Sequence, residues 1–350
     1  MKKALQTLEE HLETFVSAGG RADVARTVSV LAAAGAALSR AIAIGPLQGD
    51  MGKVVGTGEE SGGDQQKFLD VEADRLFREA MAAAPVAVIG SEERESVDVI
   101  DAAAPLAVAV DPLDGSSNID TNVSIGTIFA IFPVPPTGTG RIESALMQPG
   151  RDQLAAGFFI YGPQTALVVT LKAGTHIFTL DPRDGTFRMT AESVRIPENR
   201  NEYAINASNY RHWPRAVRDY IDDLISGATG PRGKDFNMRW VASMVAEAYR
   251  IMARGGIYLY PRDGRKGYEN GRLRLVYEAN PIALIFEQAG GGATDGVNRI
   301  LDILPTALHQ RTPLIFGSAD KVHRVTRYHV DAPIREQSPP LFNERGLFRP

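Results

Sequence analysis

The residues 107–120, AVAVDPLDGSSNID, end an apolar run on two carboxylates three apart, Asp111 and Asp114. A glycine, two serines and an asparagine follow. An ordinary turn needs only one or two such residues. A strand that ends by presenting carboxylates and small hydroxyl residues has the composition of a chemical site. A second short apolar run, 86–89, ends in Gly90-Ser91-Glu92-Glu93. If the two runs are neighbouring strands, Glu92, Glu93, Asp111 and Asp114 converge. Like charges at that range raise one another's pKa unless a cation lies between them. Oxygen-only ligation selects a hard ion, Mg²⁺ or Mn²⁺. The kinked turn at Asp111-Pro112-Leu113-Asp114 also frees the Leu113 carbonyl as a ligand. Two or more such ions can clamp the attacking and leaving oxygens of a phosphoryl transfer. Asp64, Asp70 and Glu278 complete the set of candidate acids. Taken alone, Glu92-Glu93 would read as turn caps facing water.

Gly115, Ser116 and Ser117 suit a different task. A glycine and small residues after a strand can turn successive N–H groups toward an anion, and serine hydroxyls add donors. Metal ligands and a phosphate cradle would then share one loop, as a phosphatase needs.

The charge distribution agrees. Residues 59–120 hold 15 acids and 4 basic residues, a net of −11, whereas 231–274 hold 10 basic residues and 4 acids, a net of +6. One segment suits cations and the other anions. The whole chain of 350 residues carries only −4, so no global nucleic-acid signal exists. Cysteine is absent, which excludes disulfides, thiol catalysis and thiolate zinc. The six histidines (His11, His176, His212, His309, His323, His329) show no zinc spacing. GTGEES at Gly56 lacks the lysine of a phosphate-binding P-loop. The N-terminus has no signal-peptide pattern, and the apolar stretch 30–38 is too short to span a bilayer, so a soluble cytoplasmic protein without membrane partners is expected.

These residues need elements to position them. Periodicity predicts helices over 5–16, 22–44, 67–83, 215–226, 238–254, 273–289 (disturbed at Asn280-Pro281) and 319–328. Strands are expected over 86–89, 106–110, 125–132, 155–161, 166–171, 176–180, 257–260 and 313–317. The segment 48–66 reads as a glycine- and acid-rich loop, and Gly290-Gly291-Gly292 as a helix stop. The polar, proline-containing stretch 195–202 marks a boundary. The class is therefore α/β, or α+β in alternating helix and sheet layers, with two subdomains. Residues 1–197 would hold the metals and one phosphate, 203–335 the sugar and far phosphate, and 336–350 a tail.

VIGSEE, VDPLDGSSNID, RWVASMVAEAYR, GGIYLYP, GRLRLVYEANPIALIFEQAGG and HQRTPLIFGS together resemble class I fructose-1,6-bisphosphatase, from about residue 50 to 330. The short DP(L/I)DG(T/S) is shared with the wider lithium-sensitive phosphatase superfamily, including inositol monophosphatases; the downstream motifs separate the two. The resemblance implies a sugar phosphatase fold and hydrolysis of fructose 1,6-bisphosphate, in gluconeogenesis or the Calvin cycle. It implies Mg²⁺ on Glu92, Glu93, Asp111, the Leu113 carbonyl, Asp114 and Glu278. Asp64 and Asp70 match acids of a family loop, and Asp70 with Glu93 helps activate the attacking water. Asp114, Gly115, Ser116 and Ser117 match the cradle of the 1-phosphate. Asn206, Arg239, Tyr260 and Arg272, with Arg274 close by, match the far-phosphate site. In the family the residue matching Arg239 reaches in from a neighbouring subunit, which implies an oligomer, usually a homotetramer.

Departures are visible. Arg272 replaces a lysine and Trp240 a tyrosine, and near Asn209 a family tyrosine is replaced, with Tyr210 one place on. Sedoheptulose 1,7-bisphosphate is therefore an alternative substrate, alone or in addition. An inositol phosphatase is more distant, because a monophosphate needs no second anion pocket. A non-catalytic phosphosugar-binding regulator would not need Glu93, Asp70 and Glu278. Pro105 and Leu106 stand where the family's AMP site has a lysine-tyrosine pair, so weak or no AMP inhibition is expected. Arg262, Arg265 and Lys266 fit a solvated loop or a phosphate-facing one equally.

Overall fold

The computed structural model describes residues 5–48, 68–135 and 142–331. Asp64, nearly all of the expected 48–66 loop and the 336–350 tail lie outside the described residues. Helix and sheet layers alternate. The first layer holds α1 (Leu8–Ser17), α2 (Ala22–Ile44) and α3 (Phe68–Ala80). The second is an eight-stranded sheet of β1 (Val86–Ser91), β2 (Asp98–Val99), β3 (Leu106–Asp114), β4 (Ile125–Pro133), β5 (Ala155–Tyr161), β6 (Thr165–Thr170), β7 (Thr175–Asp181) and β8 (Thr186–Ala191), ordered β2-β1-β3-β4-β5-β6-β7-β8. Only β1 and β3 pair in parallel; every other neighbouring pair is antiparallel.

The later chain supplies β9 (Glu202–Ala204), α4 (Arg215–Ile225), β10 (Asn237–Met238), α5 (Met244–Arg254), β11 (Ile257–Tyr260), β12 (Leu273–Arg274), α6 (Asn280–Gln288), β13 (Gly291–Thr294), β14 (Arg311–Thr312), β15 (Leu314–Ser318) and α7 (Ala319–Val330). A second sheet is ordered β10-β9-β11-β15-β13, and β12 pairs with β14 in a separate ribbon. Helices α5 and α6 lie between the two sheets, and α4 and α7 cover the far face of the second.

Residue alternation explains these layers. On β5, Phe159 and Tyr161 join the core beneath α1–α3, while Phe158 and Ile160 join the core with α5 and α6. Both faces are buried, so the strand reads as one apolar run. Asn280 to Phe286 of α6 are buried without exception, as expected of a helix with sheets on either side. Helix α2 is long and apolar enough by composition to cross a membrane; here Val24, Val28, Leu31 and Leu38 fill the core of the large sheet.

Several expectations need correction. The helix read over 238–254 begins at Met244, capped by Ser243; Asn237–Met238 instead pair with Glu202–Tyr203 as a parallel edge strand. The helix read over 273–289 is three things: the short strand β12, a π-helical turn Leu275–Ala279, and α6 with Pro281 in its first turn, where no amide is needed. The glycines read as a stop continue into β13, and β8 went unread because its outward residues are polar. The motif strand is longer than the apolar run, continuing through both acids to Asp114.

Candidate active site

The geometry of β3 turns a sequence pattern into a site. All nine of its residues are buried. Residues three apart on a regular strand face opposite ways. Here Asp111 pairs with Ile128 and Asp114 with Gly126, so three steps on β3 oppose two on β4. That bulge re-aims the strand, and both carboxylates reach one cluster. Pro112 sits inside it, where no ladder donor is needed. The Leu113 amide donates to Asp111 Oδ1 at 3.1 Å, and Thr127 Oγ1 donates to the Pro112 carbonyl at 2.8 Å.

Glycine at 126 matters for its missing side chain. A Cβ there would lie 2.3 Å from the Phe159 carbonyl oxygen and 2.6 Å from Val245. Its absence lets the N-terminus of α5 close on the strand, and the Val245 amide donates to Asp114 Oδ2 at 3.2 Å. Gly115 then takes the left-handed conformation, φ 80°, and starts a single turn, Ser116–Asn118. Asn118 Nδ2 donates to the Ala242 carbonyl at 2.8 Å, so the glycine-serine loop is tied to the segment leading into α5.

Parallel pairing sets Ser91 against Val110, and the Glu92 amide donates to the Val110 carbonyl at 3.0 Å. Glu92 therefore flanks Asp111. Glu278 arrives on the π-helical turn, whose Val276 and Tyr277 pack on β1 and β3. Ligand oxygens of Asp111, Asp114 and Glu278 lie within 4.8 Å of one another, all buried. Burial pushes the Asp111 carboxyl well above the carboxylate range, and Glu92, Glu278, Asp114 and Glu93 push it further. Burial likewise raises Glu278, with Glu92 and Asp114 adding to it. Asp114 is pushed up to about 6, mainly by burial and against the Val245 hydrogen bond. Glu92 is raised by burial and held back by Arg274, whose Nε lies 2.9 Å from Glu92 Oε1. Five carboxylates acting on one another, with one arginine paired into them, fit hard divalent cations: the donors are all oxygen and the repulsion needs positive charge.

The remaining sequence-predicted residues divide. Asp70 is buried in the first turn of α3, which packs on β3. Arg274 belongs with Glu92 and Glu278, the latter accepting its backbone N–H; it is bound to the acidic cluster, where the sequence reading set it beside the basic residues. Tyr260 ends β11, feels both Glu278 and Arg272, and is stacked within 3° of parallel on Trp240. Arg272 lies over the Tyr268 ring at 4.6 Å, with Arg265 at the same distance. Asn206 accepts from Ser208 at the start of a short helical turn. Arg239 is 54% exposed. Sequence reasoning missed the Val245 amide, Asn118, and the pairing of Arg94 with the buried Asp74, 2.9 Å, which ties the Glu92-Glu93 turn to α3. The signal for the first was Ser243, a helix-start residue.

Layered helices and sheets around buried carboxylates and a glycine-serine loop define a phosphatase of the sugar phosphatase fold. The comparisons narrow this. The model of the fructose-1,6-bisphosphatase N-terminal domain matches residues 8–192, and that of the C-terminal domain matches 196–330. The chain belongs to the fructose-1,6-bisphosphatase family, class 1. It is 53% identical over 345 residues to fructose-1,6-bisphosphatase class 1 of Sinorhizobium medicae, covering 98% of this chain and 99% of that one. It is 54% identical over 324 residues to the class 1 enzyme of Azorhizobium caulinodans, covering 92% and 99%. The crystal structure of Leishmania major fructose-1,6-bisphosphatase in holo form superimposes with a TM-score of 0.85 at 34% identity, covering 93% of this chain and 99% of that one.

Proposed function

We propose that the protein hydrolyses D-fructose 1,6-bisphosphate to fructose 6-phosphate and phosphate. The observation that carries this is the convergence of Asp111, Asp114 and Glu278 beside a glycine-serine loop, in a chain of this family. Glu92, Glu93, Asp111, the Leu113 carbonyl, Asp114 and Glu278 would hold two or more Mg²⁺ ions, with Mn²⁺ as a substitute. Bound by these residues, such ions would supply positive charge to the phosphoryl oxygens and acidify water. Gly115, Ser116 and Ser117 receive the 1-phosphate through amides and hydroxyls, next to the positive end of α5. Asp70 and Glu93 orient the attacking water and take its proton; Asp64 acts with them. Asn206, Tyr260 and Arg272 bind the far phosphate, with Arg239 reaching in from a neighbouring subunit. Arg274 neutralises Glu92 and so sets the charge that faces substrate. We further propose a cytoplasmic homotetramer serving carbohydrate synthesis, with neither nucleic acid nor membrane as partner.

Phosphate release from fructose 1,6-bisphosphate, with and without Mg²⁺, tests the reading. Release that requires the ion supports it, and no release under either condition overturns it. The seven-carbon bisphosphate, assayed in parallel, sets the sugar preference.

A further inference from the structure

We infer that Glu247 is a positioning residue that holds Arg239 in place for the far phosphate bound by a neighbouring subunit; the inference rests on the assignment of Arg239 proposed above. Glu247 is fully buried on the first turn of α5. A buried carboxylate is unfavourable unless its oxygens are well occupied, and here both are. Oε1 accepts the Val241 N–H at 2.7 Å. Oε2 accepts Arg250 Nε at 2.9 Å and Nη2 at 2.7 Å. The remaining arm of Arg250, Nη1, donates to Glu202 Oε2 at 2.7 Å. Glu202 is also buried; its other oxygen pairs with Arg200 and lies 4.0 Å from Arg239 Nε.

The segment held in this way has no regular structure of its own. Its first amide, on Arg239, donates to the Tyr203 carbonyl at 2.8 Å as the chain leaves β10. Trp240 stacks on Tyr258 and Tyr260. Ala242 is left-handed at φ 62°, a conformation that a residue with a Cβ keeps only under outside constraint. Its carbonyl accepts from Asn118, and three residues later the Val245 amide meets Asp114. Residues 239–245 thus run from the basic side to the acidic cluster and are anchored at both ends. The anchor in the middle, at Val241, is Glu247.

The chemistry divides the roles. A neutral amide at 247 could still accept from Val241, but it would lose the charge that fixes Arg250 and, through it, Glu202. The carboxylate therefore sets the electrostatic frame around Arg239 as well as the backbone. Glu247 makes its own hydrogen bonds to Val241 and Arg250 and not to the carboxylate cluster or the glycine-serine loop, so its effect should be larger when the substrate carries a second phosphate.

Glu247→Gln, Glu247→Ala and Arg239→Ala are assayed on fructose 1,6-bisphosphate and on a monophosphate, p-nitrophenyl phosphate, in saturating Mg²⁺. Thermal unfolding is followed in parallel. Glu247→Gln should raise KM for the bisphosphate about tenfold with kcat within about threefold, and change the monophosphate rate by less than about threefold. Glu247→Ala should raise KM further. Combined with Arg239→Ala, Glu247→Gln should add less than about twofold, since Glu247 acts through the placement of Arg239. An equal loss on both substrates, or additive losses in the double variant, would overturn the inference. If Arg239→Ala raises KM and Glu247→Gln does not, only the role of Glu247 is lost. If Arg239→Ala leaves KM unchanged, the assignment of Arg239 fails and the role of Glu247 fails with it.

Discussion

The acidic and basic sides of the site are built on opposite principles. Asp111, Asp114 and Glu278 are buried on a central strand and a π-helical turn, and they repel one another. The basic side is exposed or half-buried and lies at strand ends and in loops. Its members are steadied by neighbours: Arg272 by the Tyr268 ring, Tyr260 by Trp240, Arg239 by the segment that Glu247 anchors. The acidic side is held by burial, with a charge that the fold offsets only in part, through Arg274. The basic side has charges that water already solvates and a geometry that must be imposed. Loss of a member should therefore abolish chemistry on one side and weaken binding on the other.

The largest effect should come from Asp114→Asn. The amide keeps an acceptor for Val245 but removes a charge from the cluster. Turnover should fall by about 10³-fold or more, while metal-free stability rises by on the order of 3 kcal/mol at pH 8, because a carboxyl pushed up to about 6 is no longer ionised in a buried place. Steady-state assay and chemical denaturation in EDTA check both. Turnover near that of the parent would remove Asp114 from the mechanism.

Metal and pH should separate the two sides next. A folded-state pKa above the ordinary value means the metal-free folded protein holds a proton that the unfolded chain has lost. Its stability should increase as pH falls from above about 6 toward the ordinary carboxylate value of about 4, and be lost again as pH rises. Mg²⁺ at a hundredfold its dissociation constant should add about 2.7 kcal/mol at pH 8, and less at pH 5, where protons compete. Melting curves across pH, with Mg²⁺ or EDTA, read this directly; identical curves would show that the cluster does not take the ion.

A smaller effect is expected on the basic side. Arg272→Ala should raise KM for the bisphosphate by about tenfold with little change in kcat, the pattern of binding shared by ground and transition states. Tyr268→Ala should follow it at about threefold, through loss of the cation–π contact. A kcat effect larger than the KM effect would contradict the contrast drawn above. The smallest response is to AMP: with Pro105 and Leu106 at the start of the motif strand, micromolar AMP should leave the rate unaltered, and clear inhibition would locate a nucleotide site elsewhere.

Much of this was legible from residue types. DPLDGSSNID carried its own chemistry because aspartate, proline, glycine and serine at that spacing serve few other purposes, and the burial of β3, β4 and β5 followed from unbroken apolar runs. The elements misread were those where local preference yields to neighbours. Residues 238–243 contain nothing that forbids helix, yet Tyr203, Glu247 and Asn118 take their backbone groups instead. Glycines 291 and 292 look like a terminus, yet pair with Ser318 and Gly317.

The sequence by itself determined the chemical vocabulary: an oxygen-only acidic set, a phosphate loop, a separate basic segment, and no thiol. It did so because side-chain chemistry is a local property. Only the tertiary structure decided which of these groups meet. The β3 bulge placed Asp111 and Asp114 in one cluster, the missing Cβ of Gly126 admitted the Val245 amide, and the packing of Val276 and Tyr277 delivered Glu278. The same packing drew Arg274 to Glu92. These are long-range contacts between segments far apart in the chain, and they exist only once the layers close on one another.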